Sequence, residues 1–143
     1  MAIKMRILHT PGKKKFMNIA NMIKAEYDLS INSVDKIPPA YSCDKERLVI
    51  LALTVKKEPD DVLRRFCAEL DKKKAANVAL VIDGTEEAAN AVKAVLQAAG
   101  TNVVDEVVYV ASAGFLNLNN KVTAEDVQKF LSWAENTIQT YVR

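Results

Sequence analysis

The 143-residue chain is sparing with the residues that dictate unusual architectures: four glycines, four prolines, two cysteines, one histidine and only 6% aromatics. So few glycines and prolines exclude collagen-like and low-complexity organisation. Cys43 and Cys67 form no Cys-x-x-Cys motif, and two thiols do not make a disulfide framework. Cys67 is expected on the apolar face of a helix, Cys43 as an incidental loop thiol. A redox pair would require their Cα atoms within about 7 Å. With His9 as the lone histidine and no cysteine cluster, a metal site has little support. No apolar run approaches the roughly 20 residues of a membrane span. A net charge of +2 is too small to argue for a nucleic-acid or membrane surface, so neither is expected as a partner. Met1-Ala2-Ile3-Lys4-Met5-Arg6 leads directly into an expected strand without a secretory apolar segment, and a cytoplasmic protein is the expectation.

What is present is a regular alternation of apolar strands and amphipathic helices. Half the residues are apolar, and the length suits one domain, residues 1–143, with a true core. Strands are expected at 4–9, 29–34, 47–54, 77–82 and 102–110. Ile7-Leu8 and the runs over 48–53 and 78–82 are near-continuously apolar, as in strands buried on both faces of a parallel sheet. Residues 29–34 alternate and Asp105-Glu106 interrupts the last strand, the pattern of partly exposed edges.

Four helical stripes follow i, i+3, i+4 and i+7 spacing: Phe16, Ile19, Ala20, Ile23 and Tyr27; Val62, Leu63, Phe66, Cys67 and Leu70; Ala88, Ala89, Val92, Leu96 and Ala99; and Val127, Phe130, Leu131, Ala134 and Ile138. Trp133 is expected at the core margin or surface. Pro59-Asp60-Asp61, Thr85-Glu86-Glu87 and Thr123-Ala124-Glu125-Asp126 supply N-terminal caps and acids. Lys72-Lys73-Lys74 is expected to close the second helix, where cations favour the dipole. Pro38-Pro39 disfavours a helix in the crossover over 35–46, which is expected to be a loop. The whole pattern predicts an α/β fold with a five-stranded parallel sheet covered by helices.

Recognisable catalytic signatures are missing. There is no Gly-x-Gly-x-x-Gly or Walker-type loop and no Ser-His-Asp arrangement. A phosphoacceptor receiver needs acids at the ends of its first and third strands; His9 and Thr54 stand there. Tyr41, beside Pro38-Pro39, either packs the crossover onto the sheet or stacks on a planar ligand.

The element order, Asp35-Lys36-Ile37-Pro38-Pro39-Ala40-Tyr41 after the second strand, and Ala113-Gly114-Phe115-Leu116 followed by Val122-Thr123-Ala124-Glu125-Asp126 and a terminal amphipathic helix together resemble the short-chain flavodoxins over nearly the whole chain. The resemblance implies a three-layer doubly wound sheet of strand order 2-1-3-4-5, with the helix after strand two replaced by a loop. It also implies FMN-dependent electron transfer with a redox protein partner, and a ligand site outside the carboxyl ends of the strands. Aligned on it, the cofactor loops are His9, Thr10, Pro11, Gly12, Lys13, Lys14 and Lys15 after strand one; Val55, Lys56 and Lys57 after strand three; and Asp83, Gly84 and Thr85 after strand four.

Those loops depart from the family pattern. Flavodoxins cradle the FMN phosphate with a hydroxyl-rich first loop, whereas Pro11-Gly12-Lys13-Lys14-Lys15-Phe16 has no hydroxyl and Pro11 lacks a backbone donor. The loops after strands three and four have no aromatic for the flavin. Losing two or three hydrogen bonds to a charged group, at about 1.5–3 kcal/mol each, weakens phosphate binding by roughly 10² to 10⁶. Weak or absent FMN binding is therefore expected. The alternative is a flavin-free module in which Lys13, Lys14, Lys15, Lys56 and Lys57 line a cleft, with His9 at its floor, for a phosphate-bearing small molecule or an acidic protein partner. The plainer reading of these lysines is a set of solvated loops, with Asp83 or Thr85 as a helix cap. No residue is assigned to catalysis.

Overall fold

A computed structural model describes residues 5–10, 16, 20, 21, 23, 24, 34–37, 39, 43–109 and 124–141, with backbone alone over 124–130. The expectations for Pro11, Gly12, Lys13, Lys14, Lys15, Tyr41, residues 113–116 and residues 122–123 lie outside the described residues. Buried apolar runs become strands and capped stripes become helices, in the order β1 (Met5–His9), β2 (Val34–Lys36), β3 (Leu48–Thr54), α1 (Asp61–Glu69), β4 (Asn77–Asp83), α2 (Glu86–Ala99), β5 (Asn102–Val103), β6 (Val108–Tyr109) and α3 (Ala124–Tyr141). Between β1 and β2, Phe16, Ala20, Asn21, Ile23 and Lys24 are helical.

All described strand pairs are parallel. The order β2-β1-β3-β4-β5 is the flavodoxin-like doubly wound arrangement, as expected. The fifth position is divided between β5 and β6, which pair in succession along β4. Four residues, 104–107, stand opposite Ala79 and Leu80, so the edge bulges by two residues. The bulge is held from both sides: Lys93 Nζ donates to the Asp105 carbonyl at 3.3 Å and Trp133 Nε1 to that of Glu106 at 3.3 Å. Trp133 is thereby drawn into the core, 5% exposed, rather than left at its margin.

Period-two alternation splits the core into two layers. Met5, Ile7, Leu48, Ile50, Ala52, Ala79 and Val81 pack with Phe16, Ala20, Ile23, Trp133, Ala134 and Ile138 on one face. Leu8, Val49, Leu51, Leu53, Val78, Leu80 and Ile82 meet α1 and α2 through Leu63, Cys67, Leu70, Ala88, Ala89, Val92 and Leu96 on the other. Val62 departs from its expected stripe and is exposed, because Leu63, Cys67 and Leu70 occupy the inward side of α1.

The crossover into β3 is non-helical at every described residue. β2 runs on to Lys36, two residues past its expected end, by pairing Leu8 with Asp35 and His9 with Lys36. Cys43 is no incidental loop thiol: Ile37 and Cys43, at the two ends of the crossover, are buried on the sheet face that α1 and α2 cover. Burial pushes the Cys67 thiol up to about 12. It also raises Cys43, against the opposing pull of Arg6, whose Nη1 lies 3.9 Å from Cys43 Sγ. No helix among the described residues is long and apolar enough to cross a membrane.

Candidate functional site

The strand order brings the ends of β1, β3 and β4 side by side, at the point where a doubly wound sheet takes its ligand. The sheet ladder continues past the strands here. Thr10 N donates to the Ala52 carbonyl and Ile37 N to the His9 carbonyl, each at 2.9 Å, and Val55 N donates to the Asp83 carbonyl at 3.1 Å. Side chains then lace the three ends together. Thr54 N donates to Thr10 Oγ1 at 3.1 Å, and Thr54 Oγ1 donates to Asp83 Oδ2 at 3.1 Å. A short polar residue terminating each apolar strand makes this seam possible, because each hydroxyl or carboxylate sits within reach of the next strand end.

The loops above the seam are closely fitted. A Cβ on Gly84 would stand 2.2 Å from the Val55 carbonyl oxygen, so only glycine lets the loops after β3 and β4 touch backbone to backbone. Thr85 caps α2 by accepting from Ala88 N at 3.1 Å, and Asp60 caps α1 by accepting from Leu63 N at 2.8 Å. Thr85 is thus the helix cap and Asp83 is the partner of Thr54. His9 is buried, with Nδ1 3.1 Å from the Thr10 carbonyl. In that contact Nδ1 is the donor, because a carbonyl oxygen only accepts.

Of the expected cleft lysines, Lys56 and Lys57 are exposed on the loop after β3, while Val55 beneath them is buried. They share this edge with the exposed acids Glu58, Glu86 and Glu87. Thr10, Thr54, Val55, Asp83 and Gly84 are brought together; Lys13, Lys14 and Lys15 lie outside the described residues. Tyr109, which sequence reasoning passed over, ends β6 beside Ile82 and is 39% exposed. Burial and then the Glu86 carboxylate raise its phenol above the usual range. The signal for it was an aromatic closing an otherwise aliphatic edge strand.

A hydroxyl cradle for FMN would lack Thr54, whose hydroxyl proton is given to Asp83, whereas Thr10 and Thr85 accept from Thr54 N and Ala88 N and keep their protons to donate. The half-buried Asp83 carboxylate repels an anion placed directly on the seam. The arrangement can hold an anion farther out, at the exposed Lys56 and Lys57. Comparison with family models, curated proteins and solved structures returns no match.

Proposed function

We propose that this chain is a non-catalytic binding module that takes a phosphate-bearing small molecule at the carboxyl ends of β1 and β3, by charge rather than through a hydroxyl cradle. One observation supports the reading: Lys56 and Lys57 are exposed on the loop after β3, directly beyond a strand end where Thr54 gives its hydroxyl proton to Asp83 rather than to a ligand. An exposed lysine–phosphate pair contributes only about 0–1 kcal/mol, so affinity is modest, falls with salt, and does not depend on the flavin ring. The competing reading, an FMN-dependent electron carrier, draws on Tyr109, an aromatic beside the loop of Asp83, Gly84 and Thr85. In that case FMN supplies the redox chemistry and the protein the binding.

Equilibrium dialysis against FMN, riboflavin and a simple phosphate monoester separates the two. The module reading expects FMN and the monoester to bind alike, riboflavin not at all, and K56E/K57E to weaken both phosphates. Riboflavin bound as tightly as FMN, or FMN retained through gel filtration, would overturn it in favour of the carrier.

A further inference from the structure

At the opposite end of the sheet, the segments that lead into β3 and β4 run side by side. Lys45 N donates to the Lys73 carbonyl and Glu46 N to the Lys74 carbonyl, each at 3.0 Å, and Ala76 N donates to the Glu46 carbonyl at 2.9 Å. Glu46 and Ala75 form a parallel bridge. The lysine run 72–74 does not close α1, which ends at Glu69. It forms a separate turn, in which Asp71 Oδ1 accepts from Lys73 N at 3.0 Å and from Lys74 N at 3.1 Å. Residues 28 positions apart are thus placed together as Lys45 beside Lys73, with Lys72 and Arg47 next to them in the chain.

The acids of these segments are mostly directed elsewhere. Glu46 is buried and Asp71 is bonded to its own turn, while Lys45, Arg47, Lys72 and Lys73 are exposed, with Asp44 the one exposed acid of 43–47 and 71–75. Among the described residues, the ammonium groups of Lys45, Lys72, Lys73 and Lys74 form no ion pair. Lysines from two crossovers are adjacent along the backbone here, and Lys45 has a left-handed backbone, φ 54°, which a side chain adopts at a penalty. A backbone outlier of this kind motivates a functional hypothesis.

We propose that this amino-end patch docks an acidic segment of a protein partner. Carboxylates can pair with Lys45, Lys72 and Lys73 together, and Asp44 at the rim rejects a misplaced acid. Single-stranded nucleic acid is the poorer fit, because residues 43–47 and 71–77 contain no aromatic for base stacking. The patch is independent of the carboxyl-end site.

The test uses a fluorescent octaglutamate peptide and a single-stranded DNA octamer, titrated by anisotropy at low salt against the wild type, K45E/K72E/K73E, K72E/K73E and K56E/K57E. Expected are octaglutamate binding that fades with salt, about tenfold weaker for the triple variant, partly weakened for K72E/K73E, and unchanged for K56E/K57E. The double variant keeps the test valid if the triple one fails to fold. No octaglutamate binding by the wild type, equal binding by the charge-reversed variants, or tighter binding of the DNA octamer would each overturn the proposal.

Discussion

At the carboxyl ends of β1, β3 and β4 side chains add to the backbone ladder: Thr10 Oγ1 accepts from Thr54 N, and Thr54 Oγ1 donates to Asp83. At the amino ends of β3 and β4 the backbone does most of the joining, through the Lys45–Lys73 and Glu46–Lys74 bonds and Asn77 Nδ2 on the Arg47 carbonyl, and Lys45, Lys72 and Lys73 are exposed. One sheet thereby carries two kinds of surface. The proposed ligand site lies on the loops beyond the first end, and the proposed partner surface on the exposed lysines of the second, where the left-handed backbone falls on Lys45.

The largest effect should come from breaking the closeness of the carboxyl end. Gly84→Ala pushes a methyl into the Val55 carbonyl and should destabilise by up to about 3 kcal/mol, read from the urea midpoint. A midpoint equal to wild type would mean that the two loops are not held together. Thr54→Val keeps the shape but removes the donor to Asp83. Its expected cost is about 1.5–2 kcal/mol, near the low end for a bond to a charged group because Asp83 is only half-buried. If the loss is nil, the seam is not a structural tie.

The amino end should respond with the opposite sign. Lys45→Gly relieves the left-handed backbone, worth about 1–2 kcal/mol, against about 0.5–1 kcal/mol for the added chain freedom. The net expectation is a gain of roughly 0.5 kcal/mol in thermal or urea unfolding, and any destabilisation would contradict the strain.

The smallest contrast is between the two thiols. Cys67 is raised to about 12 by burial alone, whereas Arg6 works against the rise at Cys43, beside the amino end. Peptide mapping after mild iodoacetamide treatment at pH 9 should find Cys43 modified before Cys67. Because folding raises both thiols above the ordinary 9.0, the folded state holds its protons longer than the unfolded chain. Stability should fall as the pH climbs past 9 towards 12, and less so in Cys67→Ala.

The strand order and the two-layer core were legible because near-continuous apolar runs and i, i+3, i+4 stripes are periodic, and periodicity reports which faces are buried. The caps at Asp60 and Thr85 were legible because capping is local. The seam was not: Thr10, Thr54 and Asp83 are far apart in sequence, and only the register of β1, β3 and β4 aligns their ends. Lys72-Lys73-Lys74 was misread for the same reason, since a helix-end dipole argument sees only the residues before it, not Lys45 arriving from another crossover. Trp133 was placed too far out because its partner, the Glu106 carbonyl, exists only through the edge bulge.

The most direct test of the two-ended account is amide chemical-shift mapping of one isotope-labelled sample, titrated first with FMN and separately with octaglutamate. The account predicts two separate sets: FMN shifting Thr10, Thr54, Val55, Lys56, Lys57, Gly84 and Thr85, and octaglutamate shifting residues 43–47 and 71–75. Both ligands moving the same set of amides, or FMN moving none at the carboxyl ends, would contradict it.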